Sequence, residues 1–336
     1  MKIGVLGAGT WGIALAALLC GNDHDVTVWS AIPTEIDNLK EKGVHPNLPE
    51  IILPKTIKYT KEIKDIADEA EMILIVVPSS FVRSTTEKIA PYLKDGQVLI
   101  TAAKGIESGT LMTMTEIVSD VLNKTRPQLR YNVAALSGPT HAEEVAAGIP
   151  TSIVSACEDE AISERIAAVF ANSCMRVYTN TDVKGVEICG AMKNIIAIAS
   201  GILSGMRLGD NTRAMLMTRG IAEITRLGLA LGCKRRTFMG LAGIGDLIVT
   251  CTSRHSRNNR CGELIGRGMS YEEASREIGM VVEGYHALEA AMELSKKYDV
   301  ELPITESVYK VIKEGLSPKE AMLTLMTRDL KSELDD

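Results

Sequence analysis

Apolar and polar positions follow two different periods in the first half of the chain. Short, mostly apolar runs predict buried strands, and the segments between them have helical spacing. Strands that alternate with helices predict a parallel sheet covered by helices on both faces. The predicted strands span residues 2–6, 25–30, 72–77, 97–102, 132–136, 152–155 and 175–178.

The pattern changes near Thr181, after which helical periodicity continues without a convincing strand. Ser270 and Ser317 stand at positions typical of helix N-caps. The stretch 183–206 is apolar on nearly every face, which predicts a helix buried at the centre of its domain. We therefore expect two domains, an α/β domain over residues 1–181 and an all-helical domain over residues 182–336.

The first predicted strand leads directly into the turn GAGTWG and then into an apolar helix. Gly7 permits the tight turn, Gly9 permits close approach of a pyrophosphate, and Gly12 permits close packing of the new helix. The positive N-terminal end of that helix faces the phosphates. With a second strand about 30 residues from the start, the pattern predicts a Rossmann-type, doubly wound, mostly parallel sheet that binds a dinucleotide.

Composition excludes several classes of function. The net charge of −6 offers no general basic field for nucleic acid. Seven cysteines without a CxxC pair, and five scattered histidines, indicate reduced thiols and predict no metal site. Without a signal sequence or an uncharged apolar run of about 20 residues, we expect a cytoplasmic protein with no membrane span.

Ligands of open α/β sheets bind at the carboxyl ends of the strands, where two candidate groups occur. Lys104 follows a strand directly, so its ammonium is expected to project over the cofactor crevice and hold an anionic substrate. Ser137, Gly138 and Thr140 follow another strand. A solvated loop lysine, and a helix cap at Thr140 or Ser137, are the alternatives.

Lys193 lies with Asn194 inside the apolar central helix. A buried lysine needs a partner, and burial lowers its pKa, so Lys193 is a candidate general acid or base. Asp246, in a glycine-bracketed apolar segment, is the candidate partner and could also bind a substrate hydroxyl. A structural ion pair and a helix-capping aspartate remain the alternatives.

Three arginines and several neutral donors are concentrated in residues 253–260. The planar guanidinium of Arg257 suits a phosphate, and Ser256 and Asn258 add hydrogen bonds without charge. A solvated basic loop is the alternative. Glu283, beside Gly284, is a weaker candidate on its own.

Six motifs in order along nearly the whole chain resemble the bacterial NAD(P)-dependent sn-glycerol-3-phosphate dehydrogenases. They are GAGTWG at 7–12, AAKGIE at 102–107, SGPTHAEE at 137–144, GAMKN at 190–194, GIGDL at 243–247 and SRNNR at 256–260. The resemblance implies reduction of dihydroxyacetone phosphate by NADPH or NADH, feeding glycerophospholipid synthesis. Lys193 matches the family's proton donor and acceptor, and a homodimer without metal is implied.

The same resemblance implies the remaining site residues. Those expected at the substrate are Lys104, Gly138, Thr140, Lys193, Asp246, Ser256, Arg257 and Asn258. Those expected at the dinucleotide, besides the three glycines, are Thr10, Trp11, Ser30, Lys104, Ala142, Arg257, Val281 and Glu283.

One departure from the family pattern concerns the end of the second strand. Many members carry an arginine there, whereas this chain has Ser30, Ala31 and Ile32. The sequence thus shows neither an acid for a ribose 2′-hydroxyl nor an arginine for a 2′-phosphate. Ser30 could serve either ribose, with Lys40 or Lys42 as remote cations, and the coenzyme preference stays open.

Two other functions fit the same pattern. One is a two-domain reductase of a carboxylate substrate, of the ketopantoate or 6-phosphogluconate type. The other is a dinucleotide sensor without catalysis, in which Lys193 and Asp246 form an architectural pair.

Overall fold

The computed structural model describes residues 1–330 and 332–333. The chain forms two compact units. The first comprises Met1–Lys104 and Met112–Val183, and the second comprises Gly105–Leu111 and the chain from Lys184 onward.

The first unit contains an eight-stranded sheet in the order β3-β2-β1-β4-β5-β6-β7-β8. All neighbouring strands are parallel except β6 and β7, which are antiparallel. The prediction of a mostly parallel, doubly wound sheet is therefore confirmed. The strands are β1 Lys2–Leu6, β2 Asp25–Trp29, β3 Lys58–Thr60, β4 Met72–Ile75, β5 Val98–Thr101, β6 Asn132–Ser137, β7 Thr151–Ala156 and β8 Met175–Asn180.

Both faces of this sheet are covered. Along β4, Met72 and Leu74 belong to one apolar cluster, and Ile73 and Ile75 belong to the other. This alternation explains why a strand buried on both faces is apolar throughout. The helices of this unit are α1 Thr10–Gly21, α2 Pro33–Lys42, α3 Ile63–Glu69, α4 Val82–Ile89, α5 Met114–Thr125, α6 Ala142–Ala146 and α7 Glu160–Phe170.

The sequence pattern did not predict β3. Its three residues, Lys58, Tyr59 and Thr60, pair only with β2, at the edge of the sheet. A short edge strand of this kind lacks the apolar run by which buried strands are found.

The described part of the second unit contains helices and no strand. Ser270 and Ser317 cap α13 and α16 through capping boxes, as the sequence predicts. The helices are α8 Val183–Gly205, α9 Asp210–Ala230, α10 Arg235–Phe238, α11 Asp246–Thr252, α12 Arg257–Gly266, α13 Tyr271–Ile278, α14 Glu283–Tyr298, α15 Pro303–Lys313 and α16 Pro318–Met326.

Helix α8 forms the centre of this unit, and its residues from Gly185 to Leu203 are all buried. Among the described residues it is also long and apolar enough to cross a membrane, but its most apolar window is entirely buried in the protein. A core helix passes the same test of length and hydropathy as a membrane span. The prediction of a buried central helix is confirmed.

The segment Gly105–Leu111 lies in the second unit and not, as predicted, in the first. Ile106 is 5% exposed within the apolar cluster of the helical unit, and Leu111 packs against that cluster. The segment follows β5 and has no strong hydrophobic periodicity of its own, so its packing could not be predicted from the sequence. The rest of the predicted division, near residue 181, remains a prediction.

Candidate active site

The glycine turn after β1 has the geometry that a dinucleotide pyrophosphate requires. Gly7 has a φ of +124°, and a Cβ there would lie 2.7 Å from the carbonyl oxygen of Val76. A Cβ on Gly12 would overlap the carbonyl oxygen of Gly7, so helix α1 begins in close contact with the turn. Gly9 faces open space, with no atom within 4 Å of its Cβ position. The turn thus fits a close-lying anion at the start of a helix.

Thr10 and Trp11 form the first residues of α1, directly after this turn. The Thr10 hydroxyl accepts a hydrogen bond from the Asn47 amide at 3.0 Å. Trp11 packs, partly buried, against the apolar cluster of its unit. Both residues therefore have defined positions at the dinucleotide turn.

The carboxyl end of β2 holds an acid that the sequence analysis missed. Ser30 is 6% exposed, and its hydroxyl donates a hydrogen bond to the carboxylate of Glu35 at 2.5 Å. The same hydroxyl accepts from the backbone N–H of Ile32 at 3.1 Å. Residues 29–32 lack an acid, as the sequence shows, but the structure brings the carboxylate of Glu35 to this strand end. Glu35 lies in the first turn of α2, and the turn from 30 to 33 folds it back onto the strand.

The candidate cations near this strand end are placed unfavourably for a phosphate. Lys40 and Lys42 lie in the last turn of α2, at the opposite end of that helix from Glu35.

His45 is 8% exposed, and burial lowers its pKa below the usual value, although the charge of Glu35 opposes this shift. At neutral pH we therefore expect a neutral His45 beside the glycine turn.

A second polar group lies at the carboxyl ends of β5 and β6. The amine of Lys104, half-buried, donates to the carbonyl of Gly138 at 3.2 Å, and the hydroxyl of Thr140 donates to the same oxygen at 3.2 Å. Neither Ser137 nor Thr140 caps α6, because its N-cap is His141. Ala142 is the first residue of that helix. Lys104 and Thr140 are thus drawn together around one carbonyl group.

In the second unit, Lys193 and Asp246 form a buried pair. Lys193 is 6% exposed and Asp246 is 1% exposed, and the lysine amine lies 2.5 Å from the Asp246 carboxylate. Asp246 is the first residue of α11, and the N-cap of that helix is Gly245, so Asp246 does not act as the cap. An ammonium held by one carboxylate in a low-dielectric interior keeps a defined position.

Thr250 completes this cluster and was not singled out from the sequence. Its hydroxyl accepts from the Lys193 amine at 2.5 Å and donates to the backbone carbonyl of Asp246 at 2.6 Å. Thr250 lies four residues after Asp246, on the same face of α11. The helical spacing of the two residues was the signal available in the sequence.

A cysteine next to this cluster does not add a second reactive group. Burial raises the pKa of Cys251 to about 12. The thiol is therefore protonated at neutral pH and is not a nucleophile. All seven cysteines are free thiols. Among the described residues, no group of three or more His, Cys, Asp or Glu is arranged to hold a metal ion.

The SRNNR segment forms the start of α12. Ser256 is the N-cap, and its hydroxyl accepts from the N–H of Asn259 at 3.2 Å. Arg257 follows as the first helical residue and donates to the carbonyl of Val281 at 3.2 Å. A capped helix start with an arginine presents N–H groups and a guanidinium, both of which suit an anion.

Asn258 joins three helices of this unit. Its amide nitrogen donates to the side-chain oxygen of Asn194 at 3.0 Å, and its amide oxygen accepts from the N–H of Gly284 at 2.9 Å. A Cβ on Gly284 would lie 2.6 Å from the carbonyl oxygen of Asn194. The start of α14, where Glu283 lies, is thus held against the helix that carries Lys193.

Comparison with known proteins gives one consistent family. The model of the N-terminal part of NAD-dependent glycerol-3-phosphate dehydrogenase matches residues 2–163, and that of the C-terminal part matches residues 182–323. The chain belongs to the NAD-dependent glycerol-3-phosphate dehydrogenase family. The family predicted from the six motifs is confirmed.

Individual members of this family are similar over the full length. A glycerol-3-phosphate dehydrogenase [NAD(P)+] 2 of Lactobacillus delbrueckii subsp. bulgaricus is 55% identical, with 99% of each chain covered. The crystal structure of the Coxiella burnetii glycerol-3-phosphate dehydrogenase has a TM-score of 0.92 at 36% identity, covering 97% of this chain and 99% of that one. A ketopantoate reductase from Ralstonia eutropha has a TM-score of 0.61 at 16% identity, which shows a shared fold alone. The family assignment therefore rests on the similarity to glycerol-3-phosphate dehydrogenases and not on the similarity to the reductase.

Proposed function

We propose that the chain catalyses the reversible NAD(P)H-dependent reduction of dihydroxyacetone phosphate to sn-glycerol 3-phosphate. The observation that carries this proposal is the buried amine of Lys193, bonded to Asp246 and Thr250, in a member of this dehydrogenase family. A lysine without a chemical role would be more stable with its ammonium in solvent, because burying an ammonium costs several kcal/mol. The presence of a buried ammonium at this position of α8 supports a chemical role.

The first unit supplies the dinucleotide site. Gly7, Gly9 and Gly12 would hold the pyrophosphate, with Thr10 and Trp11 at the start of α1 beside it. When bound, NAD(P)H supplies the hydride that reduces the C2 carbonyl carbon. The further proposed dinucleotide contacts are Ser30, Lys104 and Ala142 in this unit and Arg257, Val281 and Glu283 in the second.

Lys193 is proposed as the general acid for reduction. Its ammonium would give a proton to the C2 oxygen as negative charge develops there, and the neutral amine would take the C2 hydroxyl proton in the oxidation. Asp246 holds the amine through its carboxylate, and Thr250 adds a second hydrogen bond. Both partners keep the proton-bearing nitrogen in one place, which reduces the reorganisation needed during the reaction.

The start of α12 is proposed to bind the substrate phosphate. Ser256, Arg257 and Asn258 lie within the first residues of this helix or at its cap. The guanidinium supplies charge and two parallel donors, and the helix end supplies N–H groups. In the first unit, Lys104, Gly138 and Thr140 are proposed as further substrate contacts.

We also propose a cytoplasmic homodimer that supplies sn-glycerol 3-phosphate for glycerophospholipid synthesis. The full-length likeness to the Lactobacillus and Coxiella dehydrogenases supports this role.

The decisive experiment is a steady-state assay of the purified protein with dihydroxyacetone phosphate, run in parallel with NADH and NADPH. Dihydroxyacetone, which lacks the phosphate, and ketopantoate, which offers a carboxylate, are the control substrates. We expect kcat/KM for dihydroxyacetone phosphate to exceed both controls by at least about a hundredfold, because the phosphate contact is charge-assisted. Coenzyme binding without turnover of any of the three would indicate a sensor and contradict the proposal.

A further inference from the structure

A carboxylate stands at the end of β2, beside the turn proposed to hold the pyrophosphate. The N–H of Gly7 donates to the carbonyl of Trp29, the last residue of β2, at 2.8 Å. Ser30 follows Trp29 and binds Glu35. The glycine turn, the strand end and the carboxylate are therefore linked by two short hydrogen bonds. In sheets of this type, an acid at this place accepts a hydrogen bond from the ribose 2′-hydroxyl of the adenosine half.

We propose that Glu35 determines coenzyme specificity by binding the adenosine 2′-hydroxyl, so that the enzyme prefers NADH to NADPH. This inference rests on the dinucleotide binding in the proposed function and goes beyond it, because that function leaves the coenzyme open.

Ser30 is the positioning residue for this carboxylate. Its hydroxyl proton is donated to one oxygen of Glu35, and its lone pair accepts from Ile32. Ser30 is buried, which makes its position rigid, whereas Glu35 is only half-buried and open to a ligand. The second carboxylate oxygen then accepts the ribose hydroxyl.

The surrounding charges oppose a 2′-phosphate. The amine of Lys61 lies 2.7 Å from the carboxylate of Asp37, so this cation is engaged by an acid of α2. Lys40 and Lys42 lie at the far end of α2. A 2′-phosphate would bring nearly two negative charges against Glu35, and residues 30–32 supply no arginine to pair with it. Repulsion and the lost hydrogen bond both favour NADH.

The test is a calorimetric titration of the wild-type protein and variants with NADH and with NADPH, in the absence of triose phosphate. For the wild type we expect Kd for NADH to be at least about tenfold lower than Kd for NADPH, as a charge-assisted hydrogen bond allows. Glu35→Gln should reduce the ratio of Kd for NADPH to Kd for NADH at least about fivefold. The same ratios are then measured as kcat/KM with dihydroxyacetone phosphate.

Glu41→Gln is the matched control. It removes the same charge by the same substitution from the same helix, at an exposed side chain near the C-terminal end of α2. We expect its ratio of Kd for NADPH to Kd for NADH to stay within about twofold of the wild type, since surface charges contribute little through screened solvent. An equal change in Glu35→Gln and Glu41→Gln would overturn the proposal, because the effect would then be one of general charge.

The double variant Ala31→Arg/Glu35→Gln tests whether the coenzyme preference can be shifted towards NADPH. It supplies a guanidinium at the strand end and removes the acid, and we expect tighter NADPH binding than in the wild type. Equal wild-type affinity for the two coenzymes, or a preference for NADPH, would overturn the inference but leave the proposed function in place. Failure to bind either coenzyme would overturn both.

Discussion

Two carboxylates of the helical unit are buried to the same degree and do different things. Asp246 and Glu223 are each 1% exposed. Asp246 lies against the amine of Lys193, whereas Glu223 on α9 accepts from the N–H groups of Ile304 and Thr305 at 2.8 and 2.9 Å. It also accepts from the Thr305 hydroxyl at 2.6 Å. Burial alone therefore does not identify a catalytic group.

The difference lies in the donors. Glu223 caps the first turn of α15 from a neighbouring helix, where neutral N–H groups and the positive helix end satisfy a carboxylate. Burial raises the pKa of Glu223 against the lowering effect of these hydrogen bonds. Asp246 instead holds an ammonium that can lose and regain a proton. In the proposed function, a movable proton on Lys193 distinguishes this pair from the structural cap formed by Glu223.

The largest expected effect comes from Lys193→Ala. Loss of the proposed general acid should lower kcat by about a thousandfold, while coenzyme binding, measured by titration, is retained. Glu223→Gln is the control and should keep kcat within about twofold of the wild type. Turnover near the wild-type rate in Lys193→Ala would show that the Lys193–Asp246 pair is architectural.

Asp246→Asn should have a smaller effect on turnover and a clear effect on stability. We expect kcat to fall about a hundredfold and the free energy of unfolding to fall by about 3 kcal/mol, because Lys193 loses its counter-charge in the interior. The double variant Lys193→Met/Asp246→Leu should recover stability but not turnover. Urea unfolding and steady-state assays measure the two effects, and full turnover with reduced stability would remove Asp246 from the site.

Glu223→Ala should lower the stability of the protein and leave its turnover unchanged. Two buried N–H groups and the Thr305 hydroxyl would lose their acceptor, which is expected to lower the free energy of unfolding by about 3 kcal/mol. We expect KM and kcat of the folded enzyme to be unchanged. A loss of kcat at unaltered stability would place Glu223 in the chemistry and contradict the comparison.

The smallest effect concerns pH. Because the pKa of Glu223 is raised in the folded state, the folded protein binds more protons than the unfolded one above the ordinary value of 4.5. Stability should therefore fall as pH rises from 4.5 to the raised pKa, by at most about 1.4 kcal/mol per pH unit. Urea unfolding of wild type and Glu223→Gln at several pH values above 4.5 measures how steeply the free energy of unfolding falls with pH. A wild-type slope no steeper than that of Glu223→Gln would contradict the assignment.

Prediction from sequence worked where the signal is contiguous or strongly apolar. The GAGTWG turn and helix α8 were both placed correctly, because steric demands on glycine and all-round burial are visible in adjacent residues. Glu35 was missed although it lies five residues from Ser30. Its contact depends on how the chain turns between strand and helix, which polar residues at 30–35 do not reveal.

The sequence by itself determined the two kinds of architecture, the dinucleotide turn and the need of Lys193 for a buried partner. Each follows from local sterics, from hydrophobic period or from the cost of burying a charge. Asp246 was already the candidate partner of Lys193 in the sequence, and the structure shows their contact. Only the tertiary structure decided that Glu223 meets α15 and that Glu35 meets Ser30. A polar side chain accepts whatever donor packing brings within about 3 Å, and that choice depends on residues far apart in the chain.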